Sequence, residues 1–159
     1  DLIENTNLTA HTREKLVKKS GIIDWKKTQE FTKNIIKEFD VRTPNAKVAA
    51  GSLSGGNLQK FVIGREVLQK PLVFIVNQPT WGVDAAAASS IKQAILDLAS
   101  TGSAVIIISQ DLDELLELTD NFMAINSGEM SQKINTQGLT VDEIGLMIGG
   151  TGAYWKRHD

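Results

Sequence analysis

Apolar residues in the first third of the chain recur at helical spacing, whereas from Leu53 onward helical stretches alternate with short continuous apolar runs. Asp24 is placed to cap a helix running to about Asp40, whose Phe31, Ile35 and Phe39 recur every four residues. A weaker helix is expected before it, over Thr12 to Lys19, stopping at Gly21. Arg42-Thr43-Pro44-Asn45 breaks the periodicity, and Ala46 to Gly51 reads as a loop. A helix then follows Gly55-Gly56 and ends before Pro71. Leu72 to Val76 and Ala104 to Ile108, rich in β-branched residues, read as strands buried on both faces. Between them, Ile91, Ala94, Ile95 and Leu98 mark a helix closed by Gly102. Asp111, with Glu114 three residues on, caps a further helix with Leu112, Leu115 and Leu116 facing inward. Asn126-Ser127-Gly128, flanked by Phe122 to Ile125 and Met130 to Ile134, signals a hairpin. Thr140 and Glu143 open a last helix that ends at Gly149-Gly150, and a loose tail is expected after it.

Strand, helix, strand, helix at these lengths predicts an α/β fold: a parallel sheet with crossover helices plus an α-helical subdomain. The expected division is residues 1–52 as helical subdomain, 53–150 as the sheet-bearing part and 151–159 as tail. Ligands of such sheets bind beyond the carboxyl ends of the strands, which directs attention to Asn77-Gln78 and Ser109-Gln110.

Composition narrows the function classes. The chain has 159 residues, 42% hydrophobic and 23% charged, with a net charge of −2, as in an ordinary globular domain. No basic excess of the kind a sequence-independent nucleic-acid binder needs is present. The small net charge averages a basic first third, ten Lys/Arg against seven Asp/Glu in residues 1–50, with an acidic remainder. The absence of cysteine excludes disulfides, thiol catalysis and cysteine-ligated metal within these residues. Neither apolar run approaches the ~20 residues of a membrane-spanning helix. His11 and His158 lie in polar surroundings and read as solvated, and Asp111, Asp113, Glu114 and Glu117 read as a capped, solvated helix rather than a metal site.

The sharpest segment is Leu53-Ser54-Gly55-Gly56-Asn57-Leu58-Gln59-Lys60. A serine and two glycines opening a helix make an anion site, because outward amides and the helix dipole favour a phosphate and glycine lets it approach. This stretch resembles the signature motif of ATP-binding-cassette (ABC) ATPases, in the form with Asn57 and Gln59-Lys60 found in bacterial sugar and nucleoside importers. Leu72 to Val76 with Asn77-Gln78-Pro79-Thr80-Trp81-Gly82-Val83-Asp84 is similar to the family's Walker B strand and D-loop. Ile106 to Glu114 is similar to its switch region. The resemblance spans roughly Leu53 to Gly150 and implies a P-loop NTPase-like fold.

The departures from the family pattern carry as much as the matches. Where the family has a magnesium-holding aspartate and a water-activating glutamate, this chain has Asn77 and Gln78, and Gln110 stands in place of the switch histidine. An amide can position a water but accepts no proton and offers Mg²⁺ no charge. General-base catalysis is worth ~10²–10⁴-fold, so a poor hydrolytic site on this face is expected. No G-x-x-x-x-G-K-[ST] loop occurs in the sequence. Together with the Asp1 start, this leads us to expect the C-terminal part of the second nucleotide-binding domain of a fused importer subunit.

The resemblance implies ATP and Mg²⁺ as cofactors of the full assembly, with Ser54, Gly55, Gly56, Asn57 and Gln59 contacting ATP and Asp84 crossing to the partner through the D-loop. Implied partners are a second nucleotide-binding domain, membrane permease subunits and, indirectly, a periplasmic or lipoprotein solute-binding protein, without nucleic acid. The implied location is the cytoplasmic face of the bacterial inner membrane. Alternatives are a non-transport ABC ATPase of DNA repair or translation, and a regulatory pseudo-ATPase that only dimerises.

Overall fold

A computed structural model describes residues 1–155. It divides at Ile108/Ser109 into two compact units.

The first unit begins with α1 (Leu2–Ala10), where Asp1 accepts from the Glu4 amide and the Glu4 carboxylate accepts in return from the Asp1 backbone. This helix corrects the expectation of one over Thr12 to Lys19. The helix is already spent by Ala10, and Lys15 turns left-handed with φ +52°. Val17 and Ile23 form an antiparallel bridge around a turn in which Gly21 has φ +81°. Gly21 thus serves a hairpin rather than a helix end.

Helix α2 (Trp25–Glu38) starts at Asp24, whose carboxylate accepts from the Lys27 amide. Against α1 it presents Thr28 and Thr32, fully buried opposite Thr6. Thr6 and Thr32 donate to the carbonyls of Leu2 and Thr28, four residues back, so the buried hydroxyls are satisfied within their own helices. A short 3₁₀ turn, Ala50–Ser52, leads into α3 (Gly55–Val67). Strand β1 (Val73–Asn77), helix α4 (Ala85–Ser100) and strand β2 (Ala104–Ile108) then form a β-α-β unit. The strands are parallel, in register from Val73 opposite Ala104 to Asn77 opposite Ile108.

A single core joins these pieces. Leu2 of α1, Ile35 and Phe39 of α2, Phe61 and Val67 of α3, Phe74 and Val76 of β1 and Ile91 and Ile95 of α4 pack together. At ~25 cal/mol per Å² of apolar surface removed from water, burial of this continuous cluster is the main term holding the helical first third to the sheet. The strands are not buried on both faces as the sequence predicts. Phe74 and Val76 point inward, while Val73 and Ile75 remain 58% and 63% exposed. Among the described residues the helices cover one face of this two-stranded sheet.

The second unit carries α5 (Leu112–Leu118), capped by Asp111, and four two-residue strands. These are β3 (Asn121–Phe122), β4 (Ile125–Asn126), β5 (Glu129–Met130) and β6 (Ile134–Asn135). The pair β4–β5 turns at Ser127 and Gly128, with φ of +51° and +83°. Two positive φ values make the mirror-image turn that suits a twisted hairpin. Helix α6 (Val141–Ile148) has the complete capping box of Thr140 and Glu143. The expected loose tail is hydrogen-bonded as far as Tyr154: the Tyr154 hydroxyl donates to Glu143 at 2.7 Å, and the Gln132 amide donates to the Tyr154 carbonyl at 2.8 Å. Bonds from the Thr140 backbone, its hydroxyl and Tyr154 hold the Glu143 carboxyl below its ordinary range. The rest of that expected tail, residues 156–159 with His158, lies outside the described residues.

Candidate functional site

The site is built on the start of α3. Ser54 sits in extended backbone as the cap, and its hydroxyl oxygen accepts from the Asn57 backbone amide at 3.4 Å and from the Asn57 side chain at 2.9 Å. The other side of the Asn57 amide group, Oδ1, accepts from the Arg42 backbone at 2.8 Å. Asn57 therefore fastens the loop after α2 to the cap of α3. The amides of Gly55 and Gly56, in the first turn, have no carbonyl four residues back within the helix. Ser54 and Gly55 are exposed. An exposed helix end with glycine at its first two positions suits a phosphate oxygen.

The loop after β1 lies against this helix. A side chain at Gly56 would meet the Gly82 carbonyl at 3.5 Å and Val83 at 3.6 Å, so the two glycine-bearing segments are close neighbours. Gln78 adopts φ +51°, a left-handed conformation unusual for a residue with a side chain. Its amide is secured by the Ile108 carbonyl at 2.8 Å. Gln59 closes the arrangement: its Nε2 donates to the carbonyls of Gln78, at 3.2 Å, and Pro79, at 3.0 Å.

Asp84 caps α4, accepting from the Ala87 amide at 2.8 Å. That bond, aided by the nearby charges of Lys60 and Arg42, holds its carboxyl below the usual range against a smaller effect of desolvation. Asp84, Arg42, Lys60 and Asp40 line a cleft of about 120 Å³. Lys60 donates to the Asp40 carbonyl at 3.1 Å and to its carboxylate at 3.3 Å.

Ser54, Gly55, Gly56, Asn57, Gln59, Asn77, Gln78 and Asp84 all belong to the first unit. Gln110 is the second residue of the second unit, exposed and followed by Asp111, whose amide donates to Ser109 Oγ at 3.0 Å. Asn77 is exposed at the end of β1. Its neutral amide and that of Gln78 supply no carboxylate, the group through which proteins usually hold Mg²⁺, so this end of the sheet does not fit Mg²⁺ on its own. Sequence reasoning missed Arg42, whose backbone is tied to Asn57, and missed that Gln59 is engaged by the Gln78–Pro79 turn. The only available signal was the spacing of Gln59, one helical turn after Gly55-Gly56.

Comparison with solved structures defines the class. A dimeric ATP-binding cassette, MJ0796 bound to ADP and Pi, superposes with a TM-score of 0.70 at 19% identity, over 87% of this chain and 57% of that one. A putative metal-chelate type ABC transporter superposes with a TM-score of 0.68 at 15% identity, over 93% of this chain and 57% of that one. The fold is therefore the α/β fold of the ABC class of P-loop NTPases.

Sequence comparison is more specific. Glucose import ATP-binding protein TsgD13 of Haloferax volcanii is 37% identical over 136 residues, 84% of this chain and 25% of that protein. Nucleoside import ATP-binding protein NupA of Lactococcus lactis is 38% identical over 133 residues, 83% of this chain and 26% of that protein. Galactose/methyl galactoside import ATP-binding protein MglA of Escherichia coli is 38% identical over 126 residues, 79% of this chain and 25% of that protein. The chain is thus homologous, over about 80% of its length, to ATP-binding subunits of sugar- and nucleoside-type ABC importers. It spans about a quarter of the length of these relatives. No family model matches the chain.

Proposed function

We propose that this chain is the signature-bearing part of an ATP-binding subunit of an ABC importer for a sugar or nucleoside, from the C-terminal portion of a second nucleotide-binding domain. The whole subunit couples ATP binding and hydrolysis to solute uptake, at the cytoplasmic face of the membrane and together with permease subunits and a solute-binding protein. No described helix is long and apolar enough to cross a membrane.

Within that assembly the chain plays two unequal parts. Ser54, Gly55 and Gly56 present their helix end to the phosphates of an ATP held by the phosphate loop of the other nucleotide-binding domain. The chain's own β1 end, with Asn77 and Gln78 where the family has two carboxylates, is a second site of weak hydrolytic capacity, and Gln110 stands separately at the switch position. Asp84 lies in the D-loop that reaches the other domain. ATP supplies the binding and hydrolysis energy; the residues of this chain orient its phosphates.

The observation that carries the reading is the exposed, Ser54-capped start of α3 beside the Gly82–Val83 loop. Cysteine cross-linking in the full-length protein tests it. Ser54→Cys, paired with a cysteine beside the phosphate loop of the other nucleotide-binding domain, should be bridged by a bifunctional thiol reagent long enough to span the bound phosphates when ATP is present, a direct disulfide being too short to reach across them. Cross-linking that is absent, or unchanged by ATP, contradicts it.

A further inference from the structure

Gln59 is a polar side chain in the second turn of α3, and its amide nitrogen is not turned to solvent or to a helix neighbour. It donates to two consecutive carbonyls of the turn that follows β1, those of Gln78 and Pro79. A second link runs beside it, where Gly56 lies under the Gly82 carbonyl and Val83. A third fastens the helix start to what precedes it, through Asn57 between Ser54 and Arg42. Ser54 and Gln59 stand on the same rigid first turns of α3, and the helix itself transmits any displacement between them. Gln78 is held left-handed, at φ +51°, in a conformation that survives only where its surroundings fix it. The two hydrogen bonds from Gln59 are part of that fixation.

We propose that Gln59 is a positioning residue, which ties the Gln78–Pro79 turn to Ser54 so that the two ends of the chain concerned with nucleotide move as one piece. This rests on the function proposed above, and it adds a route within one chain between the degenerate site and the site served by Ser54. Gln59 acts through Ser54 and needs no contact of its own with ATP. The chemistry it requires is donation: a side chain of similar reach with N–H groups can serve, and one without them cannot.

The test is steady-state ATP hydrolysis by the full-length protein. Gln59→Leu removes the donor, Gln59→Lys keeps donors at similar reach, and Ser54→Arg blocks the helix end as a control. Gln59→Leu should lower kcat about tenfold, as expected for two lost neutral hydrogen bonds, while KM for ATP changes less than about twofold. Gln59→Lys should restore kcat to within about threefold of the parent. In a double variant with Ser54→Ala, the loss should be smaller than the product of the two single losses, because both act on the same step. A merely structural role predicts independent, multiplying losses and no rescue by lysine. Should Gln59→Leu fail to fold, Gln59→Glu replaces it, since an ionised carboxylate cannot donate. Full turnover in Gln59→Leu, with turnover abolished in Ser54→Arg, overturns this proposal and leaves the proposed function standing. Full turnover in Ser54→Arg overturns both.

Discussion

The ring of Phe39 packs directly on the α-carbon of Gly64, so closely that a Cβ there would lie 2.6 Å from Phe39 Cδ2 and 2.7 Å from Cγ. The contact joins α2 to α3, the helix that Ser54 caps. Alanine at position 64 would gain ~1 kcal/mol of helix propensity but would force the buried ring aside at a cost of ~1–3 kcal/mol. Gly64→Ala should therefore lower stability by a net of up to ~2 kcal/mol in urea denaturation of the 159-residue chain. An increase in stability would show that the two helices separate without cost.

Asn57 should matter to the loop before it as well as to its own helix. Asn57→Ala removes the acceptor of the Arg42 amide and the donor to Ser54. Hydrogen exchange at the Arg42 amide should quicken by about fivefold, matching the loss of one hydrogen bond worth ~1 kcal/mol. Unchanged exchange would mean that the loop holds its place by other contacts.

The cap at Asp84 gives a pH dependence with a definite sign. Its carboxyl is held below its ordinary range, chiefly by the Ala87 amide. A depressed folded-state value means stability that is present above the unfolded value and lost as pH falls through the folded one. Asp84→Ala should accordingly be less stable than the parent at pH 7, and the difference should shrink below about pH 4. A difference constant from pH 7 to pH 2 would contradict the charged cap.

The 159-residue chain alone should not hold ATP tightly. No G-x-x-x-x-G-K-[ST] loop is present in its sequence, so no lysine of that kind reaches the β- and γ-phosphates. Titration calorimetry should detect no binding at micromolar ATP. A micromolar affinity would place a complete phosphate site within these residues.

Much of this architecture is legible in the sequence because its helix starts are written locally. Asp24, Ser54, Asp84, Asp111 and Thr140 each accept from the amide three residues on. Ser127-Gly128 likewise fixes its turn through local backbone preference. What stayed hidden depends on tertiary context. Helix α1 buries Thr6 beside Leu2 and Ile3, and its buried threonine weakens the apolar signal that periodicity reads. The exposed face of β1 escapes a reading based on apolar content, since Val73 and Ile75 are as hydrophobic as the buried Phe74 and Val76. Within the site, the helix cap and glycine pair are recognisable in one line of sequence. The bonds from Gln59 to Gln78 and Pro79 are not, because they join residues 19 and 20 positions apart.

In the proposed function, the helix end at Ser54 serves ATP bound elsewhere, while Gln78 sits in a site that contributes little to turnover. ATP hydrolysis by full-length protein, compared between Ser54→Arg and Gln78→Ala, tests this most directly. Ser54→Arg should abolish most turnover, and Gln78→Ala should barely change it. Loss of turnover in Gln78→Ala with near-normal turnover in Ser54→Arg would contradict it.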